Sequence, residues 1–337
     1  MMIGTNGTAM VPLRRLVCRA LLLAPLFAVL APSHMALAQA YPNKPVRVIV
    51  PFGPGGVADV TTRLVSEKLG EKLGQRFIVE NVPGGGGVSA ANLAKAGGND
   101  GYTIALLTNG TAISVPLFKS LSFDPLKDFV PISSVGYFDC VFIVNSDSKF
   151  KTLQDFIGAA KEKPGTLNIG TINPGSTQHL TSELFKSTAG INFVNVTFRT
   201  TGEAVIGLLR GDVQLVIDFY AALKPGLLDN KTRALAWTGP TPSPALPNIP
   251  TVAQSGVPGF EVVSWNALYA PAGTPQAVID TLNAALRTVL ADPELKKRAL
   301  ELGIDTKAGT PAEVDARMKA DIAKWGAVIE KAGIAKQ

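Results

Sequence analysis

Val48–Leu69 reads "VIVPFGPGGVADVTTRLVSEKL". An apolar strand meets a glycine-proline turn, and the turn opens into a helix. That order gathers backbone N–H groups and the positive end of a helix dipole at one point, which suits phosphate and other anions. Gly53-Pro54-Gly55-Gly56-Val57-Ala58 also fits the dinucleotide spacing G-x-G-x-x-G/A, and Glu80 falls 22 residues after Ala58, where a ribose-binding acid belongs. Four features oppose a nucleotide. Pro54 removes a backbone donor inside the motif, and Pro51 stiffens its approach. No Walker lysine lies near. The N-terminus also directs the chain out of the compartment that holds a nicotinamide pool.

Residues 1–40 carry Arg14, Arg15 and Arg19 and no acid. The apolar run Ala20–Ala31, "ALLLAPLFAVLA", is shorter than the roughly 20 residues that a membrane helix needs. Ala36-Leu37-Ala38 and Ala38-Gln39-Ala40 each offer an A-x-A cleavage signal. The pattern predicts a signal peptide over 1–40, cut near residue 38 or 40, and a periplasmic or extracellular mature chain. Cys18 precedes the apolar core, so it is no lipobox cysteine.

The full chain has 32 bases, 26 acids and a formal charge of +6; without the three leader arginines, 29 bases remain and the charge falls to +3. No Lys/Arg run stands out, which argues against a nucleic-acid partner. Cys140 is the one cysteine after the leader, so no intramolecular disulfide is available to the mature chain. One His and one Cys cannot assemble a usual zinc set, so neither metal nor cofactor is expected. The 297 residues from Tyr41 onward suffice for two domains of ordinary size.

Strand and helix patterns alternate along "VRVIVPF", "ADVTTRLVSEKLGEKLG", "FIVENV", "YTIALLT", "TLNIGT", "HLTSELFKSTAG" and "VQLVIDF". The alternation predicts parallel sheets with helices on both faces. "PTPSPALPNIPTVAQSGVPGF" reads as an irregular connection, and the chain after "EVVSWNALYAP" is mostly helical.

Four turns, "PFGPGGVAD", "NVPGGGGVS", "TNGTAIS" and "TINPGSTQH", each follow a predicted parallel strand. They lack Lys and Arg and offer Thr108, Asn109, Thr111, Ser176 and Thr177 as neutral donors. A single such turn needs glycine only for its geometry. Four together favour a shared site for a carboxylate held by dipoles. Ser176 and His179 have the spacing of a nucleophile–base pair, or equally of a capped helix start. Asp59 either complements its helix dipole, orients the loop or binds an ammonium group. Arg199 is a solvated base or the one cation facing a carboxylate, and Asp218 is likewise a surface or a site acid.

The segments "YPNKPVRVIVPFGPGGVADV", "GQRFIVENVPGGGG", "DGYTIALLTNGT", "DPLKDFVPIS" and "KPGTLNIGTINPGSTQHLTSELFKSTAGI" together resemble the solute receptors of tripartite tricarboxylate transporters, the Bug-type receptors. The likeness resumes in "LLRGDVQLVIDF", "TRALAWTG", "SPALPNIPTVAQSGVPGFEVVSW" and "LYAPAGTP". The resemblance implies a type II periplasmic binding protein of α/β class. Two α/β domains, 41–141 plus 263–337 and 142–262, close about a hinge like a flytrap. It implies a small carboxylate ligand (a di- or tricarboxylate, an acidic amino acid or an aromatic acid), large and small membrane permease subunits as partners, and binding without catalysis. A monomer is expected. The family's first loop maps onto Phe52, Gly55, Gly56, Val57, Ala58 and Asp59, and its third onto Gly175–His179. Phe198-Arg199-Thr200 and the proline-stiffened "TINPGST" depart from the common pattern, as ligand-selecting positions would. Tyr137, Phe138 and Asp139 sit near the presumed crossover. A sensor subunit for a two-component system would need the same pocket, and an exported hydrolase built on Ser176 and His179 is the enzymatic alternative.

Overall fold

A computed structural model describes Met1 and residues 41–84 and 87–337; the signal-peptide reading of 1–40 lies outside the described residues. Strand β1 (Val46–Val50) has Val46, Val48, Ile49 and Val50 fully buried. Burial of Val48, Ile49 and Val50 in succession suits a strand covered on both faces. Parallel neighbours β2 (Phe77–Asn81) and β3 (Thr103–Thr108) flank it, with Arg47 opposite Ile78 and Thr103. Arg47 closes a two-pronged pair on Glu80, 2.7 Å at each prong. The acid that sequence spacing placed at a ribose is therefore engaged by a neighbouring strand. Helices α1 (Val57–Leu73), α2 (Val88–Ala96) and α3 (Asn109–Leu117) follow these three strands.

Strand β4 (Phe129–Asn145) is the longest, at 17 residues, and it serves two halves of the sheet. Residues 129–139 pair with β9 (Val263–Pro271), and residues 140–145 pair with β7 (Leu215–Phe219) and β8 (Thr232–Trp237). The change of partner falls between Asp139 and Cys140. Beyond it come α4 (Leu153–Glu162), β5 (Asn168–Ile172), α5 (Thr177–Ala189), β6 (Val194–Phe198), α6 (Thr201–Arg210) and α7 (Tyr220–Leu228). Strand β5 is parallel to both β6 and β7. The path through the sheet is β2-β1-β3-β9-β4-β7-β5-β6.

After β8 the proline-rich stretch makes turns and bends until β9 returns the chain to the first half. Thr238 ties this return to β4: its hydroxyl accepts the Cys140 N–H at 2.9 Å and donates to the Val262 carbonyl at 2.7 Å. Helices α8 (Gln276–Val289), α9 (Pro293–Leu300) and α10 (Pro311–Lys331) complete the chain, with the short β10 (Ile304–Asp305) on β4. Trp265 on β9 donates its indole N–H to Asp321 at 2.6 Å, which locks α10 onto the sheet.

The expectation of parallel sheets needs correction. Strand β9 is antiparallel to β3 and β4, and β4 is antiparallel to β7, β8 and β10. Alternating strand and helix patterns specify the local βαβ units. They do not specify how a strand returning from the other half docks. Antiparallel docking needs no crossover helix, so it leaves no periodicity to read.

Candidate functional site

The parallel strands β1, β3, β5 and β7 end at Val50, Thr108, Ile172 and Phe219, and the following segments converge on one cleft of about 370 Å³. Ligands of open α/β sheets bind at this carboxyl edge. Five helix N-termini reach the cleft: Val57 and Ala58 of α1, Thr108 and Gly110 at α3, Ser176 to Gln178 at α5, Thr201 of α6, and Phe219 at α7. Each carries about half a positive charge from its peptide dipoles. No Lys, Arg or His lies among the described lining residues. Phe52, Phe138 and Phe219 supply apolar walls, the last two edge-to-face with centroids 4.9 Å apart.

The opening stretch forms the first jaw. Gly56 caps α1 without a side-chain hydrogen bond, so the first-turn N–H groups have no side-chain acceptor. Asp59 is turned inward instead. It accepts the Gly55 N–H, the Arg63 guanidinium and the Asn81 amide, each at 2.9 Å, and Asn81 also donates to the Phe52 carbonyl. Burial opposes its ionisation, but these donors outweigh burial and hold the carboxyl below its usual range. Asp59 thus orients the loop, and Gly55 (φ 87°) supplies the left-handed turn that lets its N–H point back.

Ser176 caps α5. Its hydroxyl accepts the His179 N–H at 3.1 Å and donates to the Ile172 carbonyl at 2.5 Å. His179 accepts the Gly175 N–H at Nδ1, 3.1 Å away, and its Nε2 lies 4.0 Å from Glu183. Burial lowers its pKa, opposed by Glu183. Serine donates to a carbonyl and the imidazole nitrogen accepts from backbone, so this pair is arranged as a helix start. Gly175 is required here: at φ 78° a Cβ would meet Leu117 at 2.4 Å.

Asp218 is buried at the cleft wall. It accepts the Gln178 amide at 2.7 Å, the Phe219 N–H at 2.7 Å and the Thr201 hydroxyl at 2.5 Å. Burial raises its pKa, and the three donors partly offset that rise. Asn109 is buried beside the cleft rather than lining it. It donates to the Thr177 hydroxyl at 3.0 Å and accepts the Trp325 indole N–H at 2.8 Å. Cys140 is a buried free thiol, its pKa pushed up chiefly by burial.

Of the residues singled out in the sequence, Phe52, Gly56, Val57, Ala58, Thr108, Ser176, Thr177 and Asp218 line the cleft. Gly55, Asp59, Asn109 and His179 brace it from behind through the hydrogen bonds above. Arg199 and Thr200 do not line it: Arg199 is exposed and its N–H donates to Glu203, while Thr200 caps α6. Their neighbour Thr201 takes the place at the wall, because an N-cap residue faces its own helix end and the next residue turns toward the sheet edge. The turn "NVPGGGGVS", with Pro83, Gly84 and Gly87, lines an adjoining cavity that shares Phe52, Thr108, Gly110, Asn173, Gly175 and Ser176 with the cleft; Gly85 and Gly86 lie outside the described residues. Ser264 and Asn266 on β9 line the cleft and went unread in the sequence. Their signal was two polar residues at i and i+2 in the otherwise apolar "VSWNALYAP".

The model for the tripartite tricarboxylate transporter family receptor matches residues 61–334. BugT of Bordetella pertussis is 31% identical over 298 residues, 88% of this chain and 91% of that protein. The solved structure described as R. palustris Rpa4515 with adipate superposes with a TM-score of 0.78 at 33% identity, covering 88% of this chain and 99% of the other. MatC (Rpa3494) from Rhodopseudomonas palustris with bound malate gives a TM-score of 0.73 at 29% identity, covering 86% and 100%. The solved structure of periplasmic binding protein BugD superposes with a TM-score of 0.75 at 30% identity, covering 88% of this chain and 100% of the other, so the α/β fold is that of a periplasmic binding protein. The chain therefore belongs to the tripartite tricarboxylate transporter receptor family, whose members are solute-binding receptors.

Proposed function

We propose that this protein captures a small carboxylate in the cleft between its two domains and delivers it to the large and small membrane subunits of a tripartite permease. The observation that carries the reading is the convergence of five helix N-termini on a cleft lined by no Lys, Arg or His among the described residues. A dipole-lined site of this kind favours an anion of modest charge and imposes little penalty on its varied remainder. Thr177 accepts its hydrogen bond from Asn109, which leaves its own hydroxyl proton for a ligand oxygen. The adipate and malate in the two structural relatives are both small dicarboxylates, which supports the same class here.

The domains are 41–141 plus 263–337 and 142–262. The partner change in β4 between Asp139 and Cys140, and the start of β9 at Val263, support these boundaries. Closure brings loops from both domains onto one ligand, and the ligand favours the closed form by touching both. The receptor works as a monomer in the periplasm after removal of its leader.

The test is a thermal-shift screen followed by calorimetry with C3 to C6 mono-, di- and tricarboxylates. A ligand at 100 times its Kd adds about 2.7 kcal/mol of stability. A neutral sugar or a nucleotide that raises the melting temperature while every carboxylate fails would overturn the reading.

A further inference from the structure

Asn266 lies in the middle of β9 with both ends of its amide unused. It is 1% exposed, and neither Nδ2 nor Oδ1 has a hydrogen-bond partner among the described residues. Buried side-chain amides are otherwise almost always paired, because an unpaired one forfeits its hydration without return. A chain that keeps such a group at the wall of a cleft keeps it for a partner that arrives from outside.

The register of the sheet fixes where that partner sits. The Cα of Asn266 is opposite Thr108 on β3 and Gly136 on β4. Residues directly opposite in a ladder share a face, and Asn266 and Thr108 both line the cleft. Ser264, two residues earlier on the same face, is opposite Phe138 and lines it too. The amide therefore stands next to the start of α3, one of the helix ends that attract an anion.

An asparagine amide offers two N–H donors and one acceptor oxygen. A methylene chain satisfies neither end. A carboxylate satisfies the donors alone. A 2-hydroxy acid satisfies both, since its hydroxyl donates to Oδ1 while the carboxylate oxygen beside it accepts from Nδ2. We propose that Asn266 reads a hydroxyl on the acid bound in the cleft, and so selects hydroxy acids over the same acids without the hydroxyl. This assignment rests on the carboxylate reading above.

Calorimetry on the purified, ligand-stripped protein tests it with three pairs: succinate against malate, glutarate against 2-hydroxyglutarate, and adipate against 2-hydroxyadipate. The wild type binds the hydroxylated member of at least one pair tenfold or more tightly. Asn266→Leu brings that ratio to about one, mainly by losing affinity for the hydroxy acid. Ligand-free Asn266→Leu melts at or above the wild type, because an unpaired buried amide is gone. Asn266→Ser serves as the second variant should leucine overpack the strand, with the same expected loss of preference. A preference that survives both substitutions, equal losses for both members of a pair, or a wild type that prefers no hydroxy acid overturns the assignment. So does a ligand-free melting temperature well below wild type in both variants, which would make the amide structural. A wild type that binds none of the six acids overturns the assignment together with the dicarboxylate form of the reading it rests on, whereas binding that is indifferent to Asn266 overturns the assignment alone.

Discussion

The side-chain amide of Asn109 on α3 donates to the hydroxyl of Thr177 on α5 at 3.0 Å, so a buried hydrogen bond joins helices from the two halves of the sheet. The amide's orientation is set by Trp325, whose indole N–H can only donate and takes Oδ1 at 2.8 Å. Asn109→Ala leaves that indole N–H and the Thr177 hydroxyl without their partner and is expected to cost about 1–3 kcal/mol in urea unfolding. A double-mutant cycle with Thr177→Val should give a coupling energy of about 0.5–1.5 kcal/mol. Strictly additive losses would show that the two groups do not act as a pair.

Asp218 is expected to tie proton uptake to ligand binding. Burial raises its pKa, its hydrogen-bond donors are all neutral, and it lines the cleft. An anionic ligand placed beside it favours the protonated acid further. Over the pH range in which the ligand's own carboxylates stay ionised, affinity should rise as pH falls. Calorimetry in buffers of different ionisation enthalpy should register proton uptake, and Asp218→Asn should abolish it. An unchanged uptake in that variant would assign the proton to another group.

Thr201 and Arg199, two residues apart, should behave oppositely. Thr201→Val removes a donor from a buried carboxylate and is expected to lower stability by about 1.5–3 kcal/mol. Arg199→Ala removes an exposed side chain outside the cleft and should change stability by no more than about 0.5 kcal/mol, with carboxylate affinity unaltered. Substantially weaker binding in Arg199→Ala would return that cation to the site.

Asp139 stands where β4 changes partners, in a cavity of about 690 Å³ that also holds Asp305, Lys296, Lys307 and Arg317. Burial first, then Glu261 and Asp305, pushes its pKa up to about 7. The native state therefore holds this proton up to a higher pH than the unfolded chain, whose aspartates titrate near 3.9. Stability from this group is greatest below about pH 4 and declines as pH rises toward 7, with no further loss above it. Asp139→Asn should flatten that slope and stabilise the protein at pH 8 by about 1–3 kcal/mol, after discounting for residual exposure. Parallel stability–pH curves for variant and wild type would refute it.

Much of the candidate site was legible because its chemistry is local. A strand, a glycine turn and a helix start occupy about a dozen consecutive residues. Val48–Ala58, Thr108–Thr111 and Gly175–Thr177 could therefore be recognised as anion-favouring turns without knowing where they meet. Their lack of Lys and Arg already spoke for dipoles over ion pairs, and Pro54 spoke against a nucleotide.

Tertiary structure decided which of those turns share a cleft. The turn before α2 lines an adjoining cavity that shares Phe52, Thr108 and Ser176 with the cleft, while α6 and α7 bring in helix ends that carry no glycine motif. It placed Thr201 at the wall and Arg199 in solvent, a difference of two residues that depends on the capping of α6. It turned Asp59 of α1 into a brace through Asn81, a partner at the end of β2. Above all, it set β9 antiparallel between β3 and β4, which carried Asn266 to the cleft with its amide unpaired. Backbone propensity acts over neighbouring residues and is written in their order. Strand register and the pairing of buried polar groups depend on residues far apart in the chain, and those are settled when the sheet closes.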